Sequence, residues 1–327
     1  MKVSSIGVLA FAAAARLCGA SPYQITGPFT HENLTVFLIH GPDGTARTLL
    51  TLEEAIAQHK VIVYETRDVN ELSIENVSGQ DVFIQSGDIV KGGAQDRTLK
   101  DDLILPSKSG KVSISAFCVE HGRWTQRGNE SVRTFDSSTQ ALATKELKMA
   151  VKMKQDQSEV WRQVAEAQAR LSTAMNLSAH AAPSPTSFAM TMEVPAVRRS
   201  IDGYIQELAG TPNRQSDVIG YAFAIHGKLN SVDIYGSHEL FAALWMKLLR
   251  ASAVEAVSQY QAGKRFTHGT ASDVRSVLAD ADSAKPAIRD LTARTRVVTK
   301  ETGQNVMFET RDRGQKDAWI HKNYMTK

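Results

Sequence analysis

Residues 82–99 read VFIQSGDIVKGGAQDRTL. The first four form a β-type run, Ser86-Gly87-Asp88 turns it, and Ile89-Val90 extends the chain again up to Gly92-Gly93. Two adjacent glycines permit positive φ and close backbone approach, and they suit a β-bulge equally well. On an extended chain Gln95 and Arg97 share one face while Asp96 takes the other. Strand follows strand here with no helix between them, which points to an α+β fold rather than alternating α/β units.

The same reading extends in both directions. Residues 34–39, 61–65, 72–76, 99–105 and 112–119 are β-type runs, and Thr51 followed by Glu53 and Glu54 starts a helix. From Ser138 to about Met175 the chain is polar and helical in period, with Leu142, Leu147, Val151, Val160, Trp161, Val164 and Leu171 as its apolar positions. Pro183 and Pro185 mark a loop, and Pro195 opens a helix over 194–208. Strands are expected at 218–226 and 231–235, a helix capped by Ser237 over 237–260, and final strands at 294–299 and 306–309. The expected organisation is a signal peptide over 1–20 and one α+β domain over 21–327. That domain is strand-rich over 21–136, helical over 137–210 and strand–helix–strand over 211–327. An echo, Phe37-Leu38-Ile39-His40-Gly41 against Phe223-Ala224-Ile225-His226-Gly227, marks either two related halves or a chance likeness of short apolar runs.

A chain of 327 residues can bury a sizeable core, and 42% hydrophobic with 22% charged content is ordinary for a globular protein. The 7% aromatic share and net charge of +3 give no basis for a nucleic-acid or acidic-membrane partner. Lys2, the apolar run over 6–15 and the small residues Cys18-Gly19-Ala20 have the layout of a secretory signal cut near Ala20. Arg16 interrupts it late. Export to the periplasm or medium is therefore expected, with a lipoprotein cut before Cys18 as the alternative. The run is short of the roughly 20 apolar residues a membrane span needs. The mature chain keeps Cys118 alone, in a run that alternates like a half-buried strand, so burial of its thiol is expected.

Two segments carry the polar chemistry. In the first, Gly92, Gly93, Gln95 and Arg97 are candidate ligand-binding positions. Arg97 either grips an anion in two-point fashion or pairs with Asp88, Asp101 or Asp102. The second reads FCVEHGRW over 117–124, where Glu120, with Asp96, is a candidate acid or base, and Arg123 and Trp124 are candidate ligand contacts. Glu120 and Arg123 equally fit a pair with each other, and Trp124 a place in the core. Cys118 and His121 stand three apart at a strand end, which makes their side chains diverge. No histidine pair has helical metal-ligand spacing, so no metal is expected. No P-loop, GxSxG elbow, HExxH or paired CxxC is present, and no cofactor or oligomeric state is implied.

Together GDIVKGGAQDR and FCVEHGRW resemble the signature of the ARG-and-rhodanese-phosphatase-superfamily-associated protein domain, a largely uncharacterised prokaryotic family. Residues 27–38, 52–55, 63–65, 157–161, 231–237 and 319–321 resemble further segments of it, so the likeness runs along nearly the whole mature chain. The resemblance implies a ligand related to ADP-ribose or another nucleotide derivative, and adds Glu65, Asp233 and His321 to the candidate positions. Two functions compete. One is an exported domain that binds or processes a small anionic nucleotide- or sugar-phosphate-like ligand. The other is a non-catalytic exported protein whose polar residues form a buried ion-pair network, with the 138–175 helix as interaction surface.

Overall fold

The computed structural model describes residues 22–44 and 49–327, without the side chains of residues 139–141. The expected signal peptide lies outside the described residues. Two sheets organise an α+β fold. The larger has eight antiparallel strands in the spatial order Gln24–His31, Leu34–His40, Val218–Ile225, Lys228–Tyr235, Ala318–Thr326, Asn305–Asp312, Thr295–Glu301 and Pro286–Asp290. Its central strands are buried on both faces because helices cover both. Val36, Leu38, Tyr221 and Phe223 pack in one core with Phe241 and Trp245 of helix His238–Ser258. Phe37, Ile39 and Ile219 pack in another with Val274 and Leu278 of helix Ala271–Ser283. That is why these strands read as unbroken apolar runs.

The second sheet closes on itself. Its six strands run in the order Gly110–Cys118, Glu71–Asn76, Val61–Glu65, Thr134–Leu142, Asp88–Gly92 and Arg97–Leu99, the last pairing back to the first. Val63 lies opposite both Ile74 and Phe135, and Leu99 opposite Ala116. These side chains fill the barrel with one apolar cluster while the alternate positions face outward. A short sheet of Leu50–Thr51, Val82–Ile84 and Leu103–Leu105 lies beside it.

Local signals placed most elements correctly. Thr51 and Glu54 form a reciprocal cap, Pro195 is the first residue of helix Pro195–Leu208, and Ser237 caps the long helix through the Leu240 amide. The main correction concerns the helix expected from Ser138. Thr134–Leu142 is a strand, because the barrel needs it between Val61–Glu65 and Asp88–Gly92. Helix then runs over Lys145–Met149 and a π turn over Ala150–Lys154. Gln155 at φ +53° ends it, and Asp156 caps a separate helix over Gln157–Met175. The single strand expected over 99–105 is two, since the chain leaves the barrel at Lys100–Asp102 to enter the short sheet. Strands Gln24–His31, Pro286–Asp290 and Ala318–Thr326 and helix Ala271–Ser283 come in addition to the elements expected from local pattern; the helix is capped reciprocally by Thr270 and Asp273. The echoed segments are neighbours in the large sheet, with Phe37 opposite Ala222 and Val36 opposite Phe223. One is the second strand of its hairpin and the other the first, so the hairpins themselves do not repeat.

Candidate functional site

Both polar motifs meet at one end of the barrel. The Val119 amide donates to the Asp96 carbonyl at 3.0 Å, and the Asp96 amide donates to Glu120 Oε2 at 2.9 Å. Gly92 and Gly93 have φ of +122° and +53°. A Cβ on Gly93 would lie 2.2 Å from Phe135 Cζ and 2.7 Å from Glu65 Oε2. The close approach that these glycines permit is therefore to the protein itself, to the Thr134 carbonyl at Gly92 and to the Phe135 and Glu65 side chains at Gly93.

Asp96 and Glu120 are both fully buried. Asp96 Oδ1 accepts from the Gly92 amide at 2.9 Å and Arg127 Nη2 at 2.8 Å. Its Oδ2 accepts from Arg127 Nη1 at 3.0 Å and the Ser187 hydroxyl at 2.6 Å. Glu120 Oε1 accepts from Arg123 Nε at 2.7 Å, Arg127 Nη1 at 3.1 Å and the Ser184 hydroxyl. Arg123 spends its remaining donors on the carbonyls of Gly92 (2.9 Å), Gly93 (3.0 Å) and Thr125 (2.8 Å). Burial pushes the Glu120 carboxyl up, but the bonds from Arg123, Ser184 and the Asp96 amide outweigh it and hold the group below its usual range. Burial likewise disfavours the Arg127 cation, and Asp96, Glu130 and Glu120 reverse that. Every acceptor here is engaged from inside the protein, so this cluster works as a brace. Its geometric effect is to pin Arg123 inward and turn Trp124 outward, where the indole is 56% exposed.

Arg97 is also fully buried, facing the barrel interior between Val90 and Cys118. Its Nη1 donates to the Gln95 carbonyl at 2.6 Å, and its Nη2 lies 3.6 Å from Glu65 Oε2. The sequence offered Asp88, Asp101 or Asp102 as its partner. Each is engaged elsewhere: Asp88 by Lys247 at 2.7 Å, Asp101 by Arg289 at 3.3 Å and Asp102 by His321 at 2.8 Å. Gln95 is buried, and among the described residues neither end of its amide has a hydrogen-bond partner. Glu65 lies on the inward row opposite Leu72 and accepts from the amides of Arg67 (2.8 Å) and Ala94 (2.9 Å). Cys118 is buried, and desolvation pushes its thiol up to about 11. Native protein is accordingly expected to resist maleimide at pH 8 and to label only after unfolding. Rapid labelling of the native form would contradict this placement.

Asp233 and His321 lie apart from this cluster. His321 Nδ1 is 2.8 Å from Asp102 and its Nε2 3.1 Å from Asp233. Its ring stacks on Tyr235 with centroids 4.5 Å apart, and all four groups are buried between the large and the short sheet.

Outside the brace, at the same barrel end, is a cleft of about 770 Å³ lined by Tyr64, Glu65, Arg67, Ala94, Lys111, Trp124, Val132 and Arg133. Trp124 and Glu65 are the sequence candidates that reach it. Arg67, Lys111 and Arg133 were not anticipated, because they come from three separate loops and strand ends that only barrel closure brings together. None of these three cations is ion-paired among the described residues, and Lys111 Nζ lies 4.4 Å above the Tyr64 ring. Among the described residues no group of three His, Cys, Asp or Glu could hold a metal, and no helix is long and apolar enough to cross a membrane.

No curated protein and no solved structure matches the chain. A family model described as the ARG and Rhodanese-Phosphatase-superfamily-associated Protein domain matches residues 22–325. The match covers both motifs, the barrel and the large sheet, and the chain belongs to that family.

Proposed function

We propose that this is an exported binding protein whose barrel-end cleft takes a small anionic ligand carrying a planar ring, of the nucleotide or sugar-phosphate kind. One observation supports this reading above the others: an exposed tryptophan shares a cleft with three cations that have no carboxylate partner among the described residues. Surface arginines in a protein usually find an acid or face open solvent. Here Arg67, Arg133 and Lys111 surround one cavity, which suits a phosphate or diphosphate. Trp124 offers a face on which a base or sugar ring stacks. Glu65, anchored by two backbone amides, keeps lone pairs for ligand hydroxyls. The Asp96–Glu120–Arg123–Arg127 brace holds this wall in place, so the structural role weighed for those residues and ligand binding next to them are compatible.

The test is thermal shift and calorimetry of the protein from Ser21 onward with ADP, ADP-ribose, glucose 6-phosphate and inorganic phosphate. Ring-bearing phosphates are expected to raise the unfolding midpoint. Trp124→Ala should weaken them about tenfold or more, since one stacked ring contributes about 1–3 kcal/mol, and leave the free protein's midpoint unchanged. Arg133→Ala should weaken all phosphates and flatten the salt dependence. Stabilisation by none of the four, or equal binding to Trp124→Ala, would sink the reading. Export is tested separately by the N-terminus of protein recovered from the periplasm or medium, expected at Ser21.

A further inference from the structure

We infer that a second cavity, between the first hairpin and three helices, binds a small organic cation with a methylated ammonium head. It shares no lining residue with the barrel cleft. The cavity is about 300 Å³, at the small end of the range for ligand sites. His31 and Glu32 reach it from the turn before strand Leu34–His40, and Tyr204 from helix Pro195–Leu208. Met175 ends helix Gln157–Met175, while Val257 and Tyr260 stand at the end of helix His238–Ser258. Glu32 is the one carboxylate of the lining. It is exposed and has no ion pair among the described residues, and none of the described lysines or arginines lines the cavity. Arg199 belongs to the neighbouring hollow beside Leu177.

The aromatic wall is fixed before any ligand arrives. Tyr204 is buried, and its hydroxyl donates to Asn33 Oδ1 at 2.7 Å. Asn33 Nδ2 in turn donates to the Ala256 carbonyl at 2.8 Å, which ties the hairpin turn to the end of the long helix. His31 meets the Tyr204 ring edge to face with centroids 4.9 Å apart, and Phe266 packs against Tyr260 at 5.7 Å. Tyrosine faces carry negative potential and attract a cation. Burial, then the Glu32 charge, pushes the Tyr204 phenol up, so the ring stays neutral with the carboxylate in electrostatic reach.

The helix ends are a second, independent sign. Two long helices, of 19 and 21 residues, finish at this cavity, and neither has a basic residue in its last turn. Each C-terminus carries roughly half a negative charge, which favours a cation beside it. Carboxylate, tyrosines and helix ends thus share one sign, and an anion would meet no partner. Met175 and Val257 offer an ammonium N–H no strong acceptor. A methyl-covered head has no N–H to satisfy and fits them better than a primary ammonium.

The experiment is saturation-transfer NMR and calorimetry of the protein with choline, ethanolamine and 3,3-dimethyl-1-butanol, the neutral carbon isostere of choline. Choline is expected to bind about tenfold or more tightly than either of the others. Tyr260→Leu should weaken choline about tenfold, and Glu32→Gln about threefold. Glu32 is exposed, so its variant keeps the test open if Tyr260→Leu does not fold. Equal binding of the neutral alcohol would make this a plain apolar hollow and overturn the inference. Ethanolamine binding as tightly as choline would overturn the methylated head, and no binding of choline would overturn the site. Choline binding unchanged in Glu32→Gln and in any folded Tyr260→Leu would place the ligand elsewhere and overturn it too. None of these outcomes touches the barrel cleft, whose ligands and variants are different.

Discussion

Arg127→Ala is expected to lower the unfolding free energy by about 3–5 kcal/mol, as removal of one partner from a buried ion cluster does. Arg127 spans Asp96, Glu120 and Glu130, and its loss leaves two buried carboxylates sharing Arg123 and two serines. A domain stable by about 5–15 kcal/mol would lose a large part of its margin. Ser187→Ala is the milder companion if Arg127→Ala does not accumulate. It removes one donor to Asp96 and the cap on the Met190 amide, and should cost about 1–2 kcal/mol. The contrast is Arg162→Ala, in an exposed pair with Glu159 and Glu166, where no resolvable change is expected. Urea unfolding measures all three. An Arg127→Ala midpoint close to that of Arg162→Ala would show that the brace carries no stability.

Stability is expected to fall as pH rises from 5 to 8. Two buried groups bind protons more tightly folded than unfolded. Burial, then Glu146, pushes Glu255 from 4.5 up to about 7. Burial lowers His321, but the charges and hydrogen bonds of Asp102 and Asp233 outweigh that and raise it above 6.5. A raised folded pKa gives stability that is complete below the unfolded value and is lost as pH climbs through the folded one. Glu255 thus contributes fully below about 4.5 and loses its contribution towards pH 8, a change of about 3 kcal/mol. His321 adds to the loss above 6.5. On the acid side, Asp102 is buried, which would raise it, yet the His321 charge holds it well below 3.8. Its contribution is lost only as pH drops through that low value. The urea midpoint should therefore be higher at pH 5 than at pH 8, and Glu255→Gln should flatten most of the slope. A midpoint that rises from pH 5 to pH 8 would contradict both assignments.

Within the candidate site, the two polar segments singled out in the sequence come together, and their mutual arrangement is a product of the fold. Gly92-Gly93, Asp96, Glu120 and Arg123 do meet, as the two motifs suggested, yet they meet back to back and satisfy one another. Arg127, which ties them together, sits in a polar loop whose residue pattern resembles any solvated turn. The cations of the cleft were invisible for a related reason. Arg67, Lys111 and Arg133 stand on different strands or loops, and a linear pattern does not say which exposed lysine or arginine will face another.

What the sequence by itself determined is what short-range physics governs. Capping at Thr51 and Ser237, proline at the start of a helix, and the alternation of Val61, Val63, Leu72 and Ile74 each act within a few residues. Those terms set the α+β class and the burial of Cys118. The tertiary structure alone decided that the stretch from Ser138, polar and helical in period, begins inside strand Thr134–Leu142, which closes a barrel. A strand there completes two ladders that no local helix could match. It also decided that strands Gln24–His31 and Leu34–His40 leave their sequence neighbours to join Val218–Ile225, and that Trp124 faces outward. Each of these depends on contacts between residues far apart in the chain, whose free energy exists only once both partners are in place.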